Sequence, residues 1–287
     1  MIRSALLALD TTEASQMALA RSITFCLRYA ERNESGGRPM HLSGVAVVDV
    51  PGIRAPMATP IGGGAYKQTR DEALLRDAEE KTERILSEFE SKCKEAGIPH
   101  TSLRGEGMPY EQIEAAARWH DIILIGRDTN FHYETSNVIG NTMRRLVYDN
   151  SRPVIVYPAV LPENNRILIS YDGSTAASHA LHVWTLLKLR QPESEIHVVS
   201  VSRERARAER RCDEVAKLLS FHNCEATLHP ILREHTVVEH LSQTVKQINP
   251  RMVVMGAYGH GGLKTALFGS ATNRILEEIQ CPLFLYK

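Results

Sequence analysis

Residues 251–286 read RMVVMGAYGHGGLKTALFGSATNRILEEIQCPLFLY. An apolar run at 252–255 stops at Gly256 and gives way to a loop carrying Gly259, Gly261 and Gly262. Gly269 and Ser270 then precede a helical pattern with Ile275, Leu276 and Ile279. Pro282 closes it, and a last apolar run occupies 283–286. The spacing predicts a buried strand, a glycine-rich loop, a helix capped by Ser270, and a second strand. A helix N-terminus offers unpaired N–H groups and a partial positive charge, and glycine lets a ligand approach the backbone closely. The arrangement suits phosphate.

The rest of the chain contains a second version of the same plan. RSALLALD at 3–10 is followed by Thr11, Thr12, Glu13, Ala14 and Ser15, and RILISYD at 166–172 by Gly173, Ser174, Thr175, Ala176, Ala177 and Ser178. Each is a basic-apolar strand ending in aspartate, then a hydroxyl-rich cap, then an amphipathic helix. The first helix is expected to bury Met17, Ala20, Ile23 and Leu27, the second Ala177, Leu181, Trp184 and Leu187. Further strands are expected at 42–48 and 196–201, at 121–126 and 251–256, and at 152–157 and 281–286. Helical periods fall between them at 67–96, 109–119, 203–222 and 236–248, the first ending at Gly97.

Strand alternating with helix means βαβ units, a mostly parallel sheet and right-handed crossovers. The expected fold class is therefore α/β: two tandem five-stranded, mostly parallel sheets flanked by helices. The domains are placed at 1–158 and 159–287, with a short polar linker at 158–165. Since no crossover helix follows the final strand of either half, each is expected at a sheet edge, where the two can pair.

A chain of 287 residues accommodates one large or two medium domains, and 43% hydrophobic with 24% charged residues is ordinary globular composition. With 34 basic and 34 acidic residues the net charge is zero, which points away from nucleic-acid and acidic-membrane surfaces. No apolar run approaches the roughly 20 residues of a membrane helix. The start MIRSALLALD reads as a first buried strand rather than a signal peptide. Cys26, Cys93, Cys212, Cys224 and Cys281 show no CxxC spacing and are expected as reduced, buried thiols of a cytoplasmic protein.

In an open parallel sheet, ligands sit beyond the carboxyl ends of the strands where the winding reverses. Asp172, strand residues 199–201 and Gly256 all belong to that end of the second half. Gly256, two residues, Gly259, nine residues, then Gly269 and Ser270 form a spacing that resembles the universal stress protein family, whose ATP-binding members carry G-2x-G-9x-G-(S/T) after the fourth strand. The resemblance covers essentially the whole chain as two tandem domains and implies a Rossmann-like, adenine-nucleotide-binding fold. It implies that Gly256, Gly259, Gly269 and Ser270 hold ribose and phosphates, that Asp172 lies near adenine and ribose, and that Val201 lines the adenine pocket. His260, Lys264 and Thr272 stand near enough to reach phosphate or a metal. The implied cofactor is ATP, with Mg2+ as its companion cation, and no residue is assigned to the metal. GHGGLKT lacks the spacing of a P-loop.

The first half departs from this motif. Thr129 stands where the second loop glycine belongs, Gly140 comes one residue late, and Asn141 replaces the hydroxyl residue. Phe131, His132, Tyr133 and Glu134 fill the interval, and Asp128 and Glu134 oppose phosphate, so this site is expected to be degenerate. A proline- and glycine-rich insert at 51–65 reads as a connector rather than a lid.

The twelve histidines form no convincing metal spacing. His179 and His182 lie three apart; His235 and His240, five apart, do not share a helical face. Arg144 and Arg145 read as a solvated face. The favoured function is a tandem universal stress protein that binds ATP in its second domain and works as a stress-response nucleotide-sensing module. Slow ATP hydrolysis or self-phosphorylation at Ser270 is the enzymatic alternative, disfavoured by the lack of an evident general base; a scaffold that binds no nucleotide is the third reading. The expected partners are an adenine nucleotide and the other half of the chain, and a homodimer is compatible with the reading.

Overall fold

A computed structural model describes residues 2–32, 39–56, 64–129, 131, 141–149, 151–257 and 270–287. They divide into two compact units, residues 2–146 and 147–287. The first unit begins with β1 (Ser4–Leu9), α1 (Glu13–Arg32), β2 (His41–Val48), α2 (Val50–Ile53) and α3 (Gly64–Glu95). It continues with β3 (His100–Glu106), α4 (Pro109–Ala117), β4 (Ile122–Gly126) and the start of α5 (Asn141–Asp149). Its strands run in the order β3-β2-β1-β4, all parallel.

The second unit holds β5 (Val154–Tyr157), β6 (Arg166–Ser170), α6 (Thr175–Leu186), β7 (Glu195–Ser202), α7 (Arg205–Phe221) and β8 (Ala226–Leu232). α8 (Val237–Ile248), β9 (Met252–Gly256), α9 (Ser270–Glu278) and β10 (Leu283–Tyr286) complete it. The order is β5-β10-β9-β6-β7-β8, and β5 runs antiparallel to its neighbour β10 while the rest are parallel. Thus β10 is not an edge strand of this unit. It is bracketed by β9 and β5, with Phe284 opposite Ile155.

The central strands β1, β4, β6 and β9 are buried on both faces, as expected of parallel strands covered by helices on each side. The third strand of each half, β3 and β8, is not legible as an apolar run. HTSLRGE and ATLHPIL lie largely exposed or half-buried at sheet margins, so no alternation marks them. Pro230 is tolerated within β8 because that strand pairs on one side with β7.

The helix α1 corrects an expectation. Its buried face is Ala14, Ser15, Ala18, Leu19, Ser22, Cys26 and Tyr29, whereas Met17 and Ile23 are half-buried, Ala20 exposed and Leu27 42% exposed. Alanines and serines share the buried face with Leu19, Cys26 and Tyr29, so apolar size alone marks the wrong stripe. In α6, by contrast, Ala177, Leu181 and Trp184 are buried as expected, and Leu187 is half-buried. Gly97 ends the third helix with φ +67°, the left-handed geometry its position predicts.

The 51–65 insert opens with the short α2, whose N-cap Asp49 accepts the Gly52 N–H at 2.9 Å. Residues 57–63 lie outside the described segments. All five cysteines are free and buried, and burial pushes the Cys26 thiol up to about 12 and those of Cys93 and Cys212 to about 11.

Between β7 and β8, the rings of His197 and His229 meet with Nδ1 and Nε2 3.1 Å apart. Burial holds both imidazoles below their ordinary range; for His197 the neighbouring His229 and Arg166 add to this and Glu195 opposes it. The unfolded chain therefore binds more protons here than the folded one. Stability from this pair is fully present above the unfolded pKa of 6.5 and is lost as pH falls through the lower folded values. Urea midpoints measured from pH 8 down to pH 5 should decline below about 6.5, and His229→Gln should flatten that decline; an unchanged slope would refute the assignment.

Candidate functional site

The two units share one local construction at the carboxyl ends of their central strands. In the first, Leu7 pairs with Leu124, so β1 ends at Leu9 beside Gly126 and Asp10 emerges one residue beyond. In the second, Ile169 pairs with Val254, which puts Asp172 at the same offset from Gly256. In both, the helix following the aspartate runs so close to the glycine that a side chain has no room. A Cβ on Gly126 would lie 2.4 Å from the Ala14 carbonyl oxygen, and one on Gly256 would lie 2.5 Å from the Ala177 nitrogen and 2.7 Å from the Ala176 carbonyl carbon. Ala14 and Ala176 each follow the aspartate by four residues. Gly256 is therefore demanded by packing, whatever else it does.

The aspartates differ. Asp10 is 2% exposed; its Oδ1 accepts the Thr12 N–H at 2.9 Å and the Thr12 hydroxyl at 2.6 Å, and its own N–H donates to Ser15 Oγ at 2.9 Å. Asp172 is half-buried, and its Oδ1 accepts one N–H, from Ser174, at 2.9 Å. Ser174 then caps α6, its Oγ accepting the Ala177 N–H at 3.1 Å. A carboxylate at the head of a helix is favoured by the helix dipole. In Asp10 that capacity is consumed inside the protein, whereas Oδ2 of Asp172 has no hydrogen-bond partner among the described residues.

Strand register brings the other predicted residues to the same end. Ser170 pairs with Val199, so half-buried Val201 lies beyond the end of β6, level with Asp172. Gly256 closes β9 and is buried; the following Ala257 N–H donates to the Tyr286 carbonyl at 2.8 Å. Ser270 is the first residue of α9, and Thr272 lies in its first turn. Gly259, His260, Lys264 and Gly269 fall outside the described residues. The structure thus gathers Asp172, Val201 and Gly256 at one sheet end.

In the first unit several residues after the glycine are buried. Directly after Gly126, Arg127 is 4% exposed, Thr129 0% and Phe131 2%. Asp128 is exposed, and residues 132–134 and 140 lie outside the described segments.

Several other expectations change. Arg145 is not simply solvated: its guanidinium sits 3.7 Å above the Tyr110 ring centroid, and Arg144 is half-buried. His179 and His182 are exposed on α6, as their surface reading requires. His235 and His240 do meet, with ring centroids 5.8 Å apart, because His235 precedes the Thr236 N-cap and is not on the helix at all. His240 is buried, and its Nε2 accepts the N–H groups of Glu234 and His235 at 3.2 and 3.1 Å, tying down the turn before α8. Helical spacing had no means of revealing that contact.

A cavity of about 530 Å³ opens beside this turn, lined by Arg233, His235, Thr236, Val238, Glu239 and Arg274. It is poorly suited to an anion. Thr236 and Glu239 already cap α8 with a reciprocal box, and Arg274 is bonded to Glu278 at 3.0 Å. Among the described residues, no group of three or more His, Cys, Asp or Glu side chains is arranged to hold a metal, and no helix is long and apolar enough to cross a membrane.

Mostly parallel sheets flanked by helices, with an aspartate and a glycine converging at the carboxyl ends of adjacent strands, define a Rossmann-like α/β protein. Residues 163–287 match the model described as the Universal stress protein family. That likeness lies in the second half of the chain. A curated universal stress protein of Synechocystis is 20% identical over 259 residues, covering 84% of this chain and 88% of that one. A universal stress protein structure from Archaeoglobus fulgidus is 18% identical and superposes with a TM-score of 0.71, covering 100% of this chain and 99% of that one. A putative universal stress protein structure from Pseudomonas aeruginosa, 14% identical, gives 0.58 over 100% and 93%. These structural likenesses extend the shared fold across both halves.

Two predictions follow from the paired construction. Gly126→Ala and Gly256→Ala should each cost about 2–3 kcal/mol, because the obstacle is helix backbone that has to shift; urea unfolding checks it, and a loss below half of that would contradict the geometry. Asp10→Ala should cost about 1–3 kcal/mol by stranding two half-buried donors of Thr12, whereas Asp172→Ala should cost less, about 1 kcal/mol or under.

Proposed function

We propose that the chain binds ATP in its second domain, at the carboxyl ends of β6 and β9, and serves as a nucleotide-sensing module of a cytoplasmic stress response. The observation that carries the reading is the contrast between the aspartates: half-buried Asp172 has one carboxylate oxygen without a described partner beside a helix head, while Asp10, its counterpart, is enclosed and bonded within its own turn. Gly256, Gly259, Gly269 and Ser270 would hold ribose and phosphates, with Ser270 opening α9 so that its first-turn N–H groups face the anion. Val201 would line the adenine wall, and His260 and Thr272 would reach toward phosphate and its Mg2+. The residues present fit such a ligand: a carboxylate for ribose hydroxyls, a helix start for phosphate, and a glycine where the backbone must come close.

The first domain, in this reading, holds no nucleotide, since Thr129 replaces the second motif glycine and Arg127, Thr129 and Phe131 are buried after Gly126. The repeats join within 158–165, and β5, the last strand of the first repeat, is contributed to the compact unit of the second by pairing with β10. That exchange would tie the two domains together within one chain.

Purified protein tests the reading. Denaturation should release adenine nucleotide detectable by mass spectrometry, and millimolar ATP should raise the melting temperature by several degrees, since a ligand at about 100 times its Kd adds about 2.7 kcal/mol. Asp172→Ala should abolish that rise and Asp10→Ala should leave it intact on a lower baseline. No released nucleotide together with an ATP-independent melting temperature would overturn the proposal.

A further inference from the structure

Gly173, between β6 and α6, has φ +76°, a left-handed geometry that side chains rarely adopt. A Cβ there would lie 2.8 Å from Arg211 Nε and 3.4 Å from its Cζ. The guanidinium therefore lies against the bare backbone of this turn, next to the aspartate of the candidate site. Its position is set by α7, whose Ala208, Cys212 and Val215 are buried. Cys212 Sγ reaches the Val198 carbonyl at 3.9 Å, which holds Arg211, one residue earlier, at the margin of the helix–sheet contact.

Arg211 is half-buried, yet its guanidinium makes no hydrogen bond or ion pair with any described residue. Asp172, the residue before Gly173, accepts the Ser174 N–H and forms no ion pair with Arg211 either. Their charges are close enough to be felt by one neighbour. Burial raises the Tyr171 phenol, Glu214 and Asp172 raise it further, and Arg211 pulls it back. A fork of donors and a carboxylate with a spare oxygen thus flank a single glycine without touching. Leaving donors partly desolvated and unmatched is unfavourable, so a group that completes both is strongly selected. A hydroxyl does this, because its O–H donates to a carboxylate while its lone pairs accept from a guanidinium. Two adjacent hydroxyls do it best, since the guanidinium presents its donors as a planar fork.

We propose that Arg211 is a specificity residue of the candidate site, which together with Asp172 grips the vicinal hydroxyls of ribose and selects ribonucleotides over deoxyribonucleotides. This rests on the nucleotide reading above. In the first unit no such selection operates, because Asp10 is closed inside the protein.

The experiment is calorimetric titration of the full chain with ATP, 2′-deoxy-ATP and 3′-deoxy-ATP, for the unmodified protein, Arg211→Gln and Arg211→Lys, each checked for folding by its melting curve. The unmodified protein should bind ATP about tenfold or more tightly than at least one deoxy analogue, the size of one charge-assisted hydrogen bond. Arg211→Gln should weaken ATP by a similar factor while barely changing that analogue, collapsing the preference, and Arg211→Lys should fall between. A folded Arg211→Gln that keeps the full preference overturns the inference, as does equal weakening of all three ligands, the mark of a purely structural role. Both results leave the nucleotide reading standing. Failure of the unmodified protein to bind ATP at all overturns both.

Discussion

The close approach of a helix head to a glycine at a strand end is the constraint on which the rest of this structure depends. At Gly256 the α6 backbone passes within 2.5 Å of where a Cβ would be, and at Gly126 the α1 backbone comes within 2.4 Å. Hydrophobic packing makes the approach favourable, because small residues such as Ala14, Ala18, Ala176, Ala177 and Ala180 let helix and sheet exclude water at short range. Once the helix is that near, its first N–H groups and the preceding aspartate are drawn to the carboxyl end of the sheet. The site follows from the packing.

The same construction yields different chemistry in the two halves because side chains decide whether the end of the sheet stays open. In the first, Thr12 and Ser15 engage Asp10 while Arg127, Thr129 and Phe131 are buried behind Gly126. In the second, Gly173 and Ser174 follow Asp172, and the turn they form consumes one carboxylate oxygen and leaves room for Arg211. The two units keep the same register of strand pairing, Leu7 with Leu124 and Ile169 with Val254, while the chemistry above it differs. Packing tolerates little change, and a solvent-facing rim tolerates much more.

The likeness to the universal stress protein family falls unevenly on the two halves. The family model matches residues 163–287, the half whose aspartate remains accessible and whose glycine spacing is intact, although the same sheet-end construction recurs in both units. A fold hosts many functions, so the argument for a ligand rests on the sheet end and not on the architecture.

The residue order alone determined the strand–helix alternation, the Asp and Gly positions and the burial of the core strands, because these depend on local period and composition that tertiary contacts did not overrule. It did not reveal β3 and β8, whose marginal position exposes polar and apolar residues alike, nor the true inner face of α1, where alanines and serines share the packing with Leu19, Cys26 and Tyr29. The contact of His235 with His240 crosses a helix cap, and the grip of Arg211 on Gly173 joins residues 38 positions apart. That β5 and β10 can pair follows from two final strands with no crossover helix after them; the antiparallel register that sets Phe284 opposite Ile155 does not. Tertiary structure decided these, because contact between distant segments depends on strand register and helix docking, which no local pattern encodes.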